Sequence, residues 1–369
     1  MAGRLREKVT VAGRVSGRRH SRGLEAGELR QDVLTGQWVV IATGRALRPH
    51  DFLAERGRPS KLPKFKDECP FCRLDMFPQE PDVLTLPAGR DEWEVHIFPN
   101  KYPAFSPCEE FRMWEAGPYH AMEAVGYHEV LATRWHNAID AYLTPRQLAL
   151  QLEALVLRFR QLREKPSVNY IQIIKNHGVK AGASLEHPHH QILTVPVLPV
   201  DVQALLDGAE RYYLQHKADV FSTLLAWELE EGKRIVYEND HFVALCPFAS
   251  RVPFEVMVVP RDPLPYFEDS DPTVRQALAE TLQNVLSRLY VGLHNPPYNY
   301  YLHSAPCDTT GFICDMSAFP HFRWHVTIMP RLNVWGGFEL GTGLPITTAL
   351  PEESAAYLRE VRVDALRLE

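Results

Sequence analysis

Residues 176–191 read Asn176-His177-Gly178-Val179-Lys180-Ala181-Gly182-Ala183-Ser184-Leu185-Glu186-His187-Pro188-His189-His190-Gln191. The glycines let backbone amides come close to an anion. A β-like stretch, Tyr170 to Ile174, precedes the run, and another, Ile192 to Val195, follows it. Side chains alternate along a strand, so His187, His189 and Gln191 face one way and His190 the other. An imidazole nucleophile beside anion-binding amides is the equipment of nucleotidyl transfer.

A second group suited to chemistry is Cys69-Pro70-Phe71-Cys72. As a redox pair it would need an adjacent βαβ pattern, which is missing here. A zinc site needs two further ligands. The sequence has no second CxxC, so those ligands must be histidines, with His136 and His187 as candidates. Four protein ligands would make the site structural, because no position stays open for water.

The elements that position these groups recur twice. In the first half His128-Glu129-Val130-Leu131-Ala132 is strand-like. A helix follows, with Thr144 as N-cap, Pro145 at N1, Gln147 at N3 and Leu148, Leu152, Leu155, Val156 and Phe159 at helical spacing. The strand from Asn169, the loop and the histidine strand to Pro196 complete the unit. In the second half Phe254 to Val259 is strand-like, Asp271 caps a helix with Pro272 at N1, and Asn299-Tyr300-Tyr301-Leu302 leads to His321-Phe322-Arg323-Trp324-His325 and Pro330. Aligning Pro196 with Pro330 sets His321 against His187, Arg323 against His189 and His325 against Gln191. The expected fold is α+β: two tandem half-barrel units forming one antiparallel, sheet-rich body with packed helices. The expected division is a basic tail at 1–29, a first unit at 30–197 and a second at 198–369, closed by a helix after Pro351.

Composition narrows the function classes. The 369 residues carry a net charge of −6, against a nucleic-acid binder working through a broad basic surface. No apolar run is long enough to span a membrane. The basic, Gly-rich start lacks the apolar core of a secretory signal. Six cysteines in so long a chain do not read as a secreted disulfide framework, and the four outside the CxxC suit a reducing cytoplasm.

Five blocks, in order, carry a family resemblance. They are Leu34-Thr35-Gly36-Gln37-Trp38-Val39-Val40-Ile41 with Arg45 and Arg48-Pro49; the CPFC; Phe98-Pro99-Asn100-Lys101-Tyr102-Pro103-Ala104; the 176–191 run; and Gly337-Phe338-Glu339-Leu340-Gly341-Thr342-Gly343. The chain resembles the galactose-1-phosphate uridylyltransferase family of the histidine triad superfamily, including its ADP-glucose phosphorylase branch. The resemblance implies that His189 attacks the α-phosphorus of a nucleotide sugar, UDP-glucose or ADP-glucose. Sugar 1-phosphate leaves, and a second phosphate then attacks the nucleotidyl-histidine. It further implies that Gln191 and Ser184 hold phosphoryl oxygens, that amides near Gly182 stabilise charge on phosphorus, and that Arg45, Arg48 and Asn176 reach the phosphates. Asn100 falls near the nucleoside. His187 and His136 join Cys69 and Cys72 around a structural zinc, and the protein is expected to be a homodimer.

The match departs from the uridylyltransferase in the second half. Of a second metal site, His303 and His325 remain, while Thr327 and the region of Leu205 replace the other ligands, so that site is expected to be absent. Asn333, Phe338 and Pro345 stand where the acceptor sugar phosphate would be gripped, whereas Glu339 is kept. Amides around Gly341 and Gly343 would suit a bare phosphate. The acceptor is therefore a hexose 1-phosphate or inorganic phosphate. Two further readings are a nucleotide hydrolase, against which Gln191 speaks because glutamine is no general acid, and a non-catalytic nucleotide binder.

Overall fold

The computed structural model describes residues 27–42, 62–78, 81–87, 93–108, 111–307 and 319–363. Its first half runs through β1 (Glu28–Gln31), β2 (Trp38–Ile41), β3 (Leu84–Leu86), β4 (Val95–Pro99), β5 (Met113–Ala116), β6 (Tyr119–Met122), β7 (His128–Thr133), α1 (Pro145–Arg163), β8 (Tyr170–His177) and β9 (His189–Val195). The second contains α2 (Val200–His216), α3 (Val220–Glu231), β10 (Ile235–Glu238), β11 (Phe242–Leu245), β12 (Val256–Pro260), α4 (Pro272–Gly292), β13 (Tyr298–His303), β14 (His325–Pro330), α5 (Gly337–Thr342), β15 (Ile346–Thr347) and α6 (Pro351–Glu360).

Ten strands form one sheet in the order β10-β11-β12-β14-β13-β8-β9-β7-β4-β3. Every pairing in it is antiparallel. The order is a palindrome of the two halves, joined where β8 meets β13. Ile192 pairs with Ile173, Val326 with Leu302, and Ile173 with Leu302. Equivalent positions thus face each other across a local two-fold axis, and the duplication expected from the sequence is one continuous α+β body.

One face of the sheet is sealed by α1 and α4. Their Leu152, Leu155, Phe159, Leu278, Leu282 and Leu289 are buried against Ile171, Ile173 and Ile192. Each such side chain contributes about 1.5–3 kcal/mol by leaving water. Thr144 and Gln147 close a capping box on α1, and the Asp271 side chain accepts from the Val274 amide at the start of α4. Both helices therefore begin where the sequence signals start them.

Two features differ from the expected plan. The segment after Pro199 folds into α2 and α3, which have no counterpart in the repeat; α3 is capped by the Asp219 side chain. The proposed tail of residues 1–29 overlaps β1, since Glu28 and Leu29 already pair with Ile41 and Val40. No helix among the described residues is long and apolar enough to cross a membrane.

Candidate active site and metal centre

The opposite face of the sheet carries the site. Gln191 lies on β9 beside Val130 of β7, and His189 beside Ala132. Val130 and Ala132 form a small cluster with Phe98, Cys69 and Phe71. The CxxC turn is thus packed directly on the strand pair that presents the histidines. Lys66 extends this link by pairing with Glu186 of the glycine loop at 3.0 Å.

Cys69, Cys72, His136 and His187 converge, with one ligand atom from each lying within 4.8 Å of the others. Nδ1 of His187 is 3.5 Å from both sulfurs, and Nδ1 of His136 is 3.5 Å from Cys72. Neighbouring ligands of a tetrahedral zinc are about 3.5 Å apart, so three of these contacts already have the spacing a bound metal needs. Nε2 of His187 donates to the Thr133 carbonyl at 2.7 Å, which fixes the ring and leaves Nδ1 as the ligand atom. Burial pushes the Cys72 thiol up to about 11. One buried and one half-buried thiol with two buried imidazoles are a set that a cation could complete.

His189 is 6% exposed. Its Nδ1 is 2.8 Å from the His187 carbonyl. A carbonyl only accepts, so Nδ1 carries the proton and Nε2 keeps the lone pair. Burial pushes the imidazole below its ordinary value, and the Lys175 ammonium acts the same way, which favours the neutral ring. Phe71 sets its ring edge-on to His189, with centroids 5.4 Å apart. His190 points into the core as alternation requires, and bonds the Tyr300 hydroxyl.

The glycine loop is built differently from its expected role. Gly178 and Gly182 both have positive φ, +81° and +85°, and a Cβ on Gly178 would meet Pro297 at 3.0 Å. However, the Gly182 amide donates to the Val179 carbonyl and the Ala183 amide to the Gly178 carbonyl. The Gly182 amide is committed to the turn, so Gly182 shapes the loop without offering its own N–H to a phosphoryl oxygen. Ser184 is exposed, with no hydrogen bond to another described residue. Asn176 accepts on Oδ1 from the Asn299 amide at 2.7 Å, and Asn299 also binds the Ala181 carbonyl. Asn100 accepts the Tyr102 amide on its Oδ1. Arg45 and Arg48 lie outside the described residues.

Glu339, Gly341 and Gly343 are not gathered into an anion loop. Their block is the short helix α5, whose Glu339 carboxylate accepts the Gly336 amide as a cap. Gly343 ends that helix and accepts Gln37 on its carbonyl. It lines a cavity of about 1110 Å³ between the Gln31–Gln37 segment and the second half, together with Tyr301, His303, His325 and Thr327; His189 is not part of that lining. The second half repeats the tether of a histidine to a backbone carbonyl. Nδ1 of His325 bonds the Arg323 carbonyl at 2.9 Å, two residues back, as His189 bonds His187. Arg323 is buried against Asp219 and the Pro260 carbonyl.

Two residues that the sequence reading did not place in the site are His128 and Asn299. His128 heads the strand-like segment and contacts Gln191 directly. The signal was a polar ring at the first position of an otherwise apolar strand.

A duplicated α+β sheet that presents a buried histidine beside a Cys2His2 cluster able to hold a metal ion defines a class of two-unit group-transfer proteins. Within that class the chain belongs to the galactose-1-phosphate uridylyltransferase family. It matches that family's N-terminal domain over residues 22–199 and its C-terminal domain over residues 206–366. It is 32% identical over 341 residues to an ADP-glucose phosphorylase of Arabidopsis thaliana, covering 91% of this chain and 93% of that one. It is 31% identical to a galactose-1-phosphate uridylyltransferase of Thermotoga maritima, over 91% of this chain and 99% of the relative. A crystal structure of the Arabidopsis thaliana ADP-glucose phosphorylase with bound ADP-glucose superposes with a TM-score of 0.77 at 29% identity, covering 92% of this chain and all of that one.

Proposed function

We propose that the protein is a nucleotidyltransferase of the uridylyltransferase type, moving a nucleoside monophosphate from UDP-glucose to a hexose 1-phosphate through a nucleotidyl-His189. The observation that carries this reading is the tether of His189 Nδ1 to the His187 carbonyl, which leaves Nε2 as the attacking atom. Nε2 forms a bond to the α-phosphorus as the bond to the bridging oxygen breaks, and sugar 1-phosphate departs with that electron pair. A phosphate oxygen of the acceptor then attacks the same phosphorus and frees His189. Gln191 and Asn176 flank this position and are the proposed phosphoryl ligands. A zinc ion at Cys69, Cys72, His136 and His187 would stay structural and stiffen the strand that ends in His189.

A second reading has its own support. The Arabidopsis thaliana relative is an ADP-glucose phosphorylase, and Asn333 and Phe338 replace the groups expected to grip a hexose phosphate. Adenylyl transfer from ADP-glucose to inorganic phosphate would use the same first step. The proposed assembly is a homodimer in the cytoplasm; Val334, Phe338 and Leu340 expose an apolar patch around α5 that a second copy would cover.

The test offers UDP-glucose and ADP-glucose separately, with no acceptor, and reads the intact mass. A uridylyl adduct that disappears in His189→Ala is the expected result. An adenylyl adduct would move the assignment to the phosphorylase. No adduct with either would sink the covalent mechanism.

A further inference from the structure

We infer that His128 is a positioning residue for the transfer, acting by fixing which end of the Gln191 amide faces the phosphoryl group. The inference rests on reading His189 as the nucleophile and Gln191 as its phosphoryl ligand. Nδ1 of His128 accepts the backbone amide of Ala104 at 3.1 Å. A neutral ring accepting on Nδ1 carries its proton on Nε2. That Nε2 is 2.8 Å from Oε1 of Gln191 and therefore donates to it.

The contact of Asn100 Nδ2 with His128 Nε2, at 3.1 Å, does not compete. Asn100 already accepts the Tyr102 amide on Oδ1, so its Nδ2 is a donor, and two donors form no hydrogen bond. The Nε2 proton of His128 is thereby left to Gln191.

The consequence concerns sign. A side-chain amide presents either an acceptor or two donors, and the reverse orientation would turn lone pairs towards a phosphoryl oxygen. With Oε1 held by His128, the Gln191 NH2 is the end left free, since no described residue takes it. Donors aimed where charge develops on phosphorus stabilise the transition state, and their value depends on orientation set in advance.

His128 is itself held on both sides. Gly126 precedes it at φ +148°, where a Cβ would lie 2.3 Å from the Thr194 carbonyl. Tyr127 donates to the Thr194 hydroxyl at 2.8 Å and accepts the Thr194 amide at 2.9 Å. The Asn100 amide binds the His128 carbonyl at 2.8 Å. The ring therefore stands on a strand end locked to β9, the strand that carries both His189 and Gln191.

The test measures the single-turnover rate of nucleotidyl-His189 formation, with UDP-glucose and ADP-glucose each as donor, in a double-mutant cycle. His128→Phe keeps a ring and removes both hydrogen bonds; Gln191→Met removes the amide. The expected result for His128→Phe is a rate about 10- to 100-fold lower, with donor affinity and metal content near those of the parent. His128→Gln restores an N–H donor near the Nε2 position and is expected to recover most of the rate. In the Gln191→Met background, His128→Phe is expected to cost nothing further. An unchanged rate in His128→Phe overturns the inference. So do losses from the two substitutions that multiply independently, or a His128→Gln variant no faster than His128→Phe despite normal metal content. Absence of any adduct on the parent chain is a different failure, because it removes the covalent reading and this inference with it.

Discussion

At the scale of single residues, the metal centre is where a side chain's chemistry is most tightly specified. Four donors from three separate segments fall within 4.8 Å of one another. Replacing one thiol leaves three ligands around buried, poorly solvated groups. Cys72→Ser is expected to reduce bound metal from about one per chain to near zero and to lower the melting temperature. Elemental analysis and calorimetry check this, with His189→Ala as a control that keeps its metal; full metal in Cys72→Ser would rule out the proposed ligand set. The ligands were legible in the sequence only up to a point. CxxC spacing is local and reads directly, whereas His136 and His187 are distant in sequence and were open candidates until the family resemblance supplied them. The alternation that put His190 opposite His189 was readable because it follows from strand geometry alone. The committed amide of Gly182 was not, because turn hydrogen bonds depend on how the loop closes. Nor was the role of His128, whose contact with Gln191 exists only once β7 and β9 pair.

Among the elements, α1 and β7 show how a buried charge is used. Arg158 of α1 forms a two-pronged pair with Glu129 of β7, at 2.7 and 2.5 Å, and both side chains are nearly inaccessible. The pair sets the helix against the strand whose first residue is His128. Removing one partner strands the other charge, so Glu129→Ala is expected to lose about 3–5 kcal/mol of stability. Replacing both, as Glu129→Leu with Arg158→Met, is expected to cost far less. Denaturant unfolding of the three variants checks this, and equal losses for the single and double replacements would refute it. Sequence signals located α1 and α4 well, since Thr144-Pro145 and Asp271-Pro272 announce their starts by purely local chemistry. They did not reveal α2 and α3, which belong to neither copy of the repeat. They also led to phosphate-binding amides around Gly341 and Gly343, whereas Gly337–Thr342 is helical, its first turn held by the Glu339 cap on Gly336.

For the whole molecule, the palindromic sheet makes the two halves one folding problem. The duplication was readable from the order of strand, capped helix and strand, but the β8–β13 junction that merges the copies was not, because it involves no local signal. A second seam lies on the helix side. Arg160 of α1 binds the Glu268 carbonyl and Arg163 binds its carboxylate, so the first half grips the turn that precedes α4. Burial raises Glu268 from its ordinary value of 4.5 to about 7, with Arg163 pulling only partly against it. The folded chain therefore binds this proton more tightly than the unfolded chain. The resulting stability is fully present below about pH 4.5 and is lost as pH rises through about 7. A shift of this size corresponds to about 3 kcal/mol at most. Glu268→Gln is neutral throughout and removes the slope. Relative to the parent chain, it is expected to be more stable at pH 8 than at pH 5, by up to that amount, in urea unfolding. A difference that stays constant between those pH values, or reverses, would mean that Glu268 keeps its charge when buried and that Arg163 outweighs desolvation at the seam.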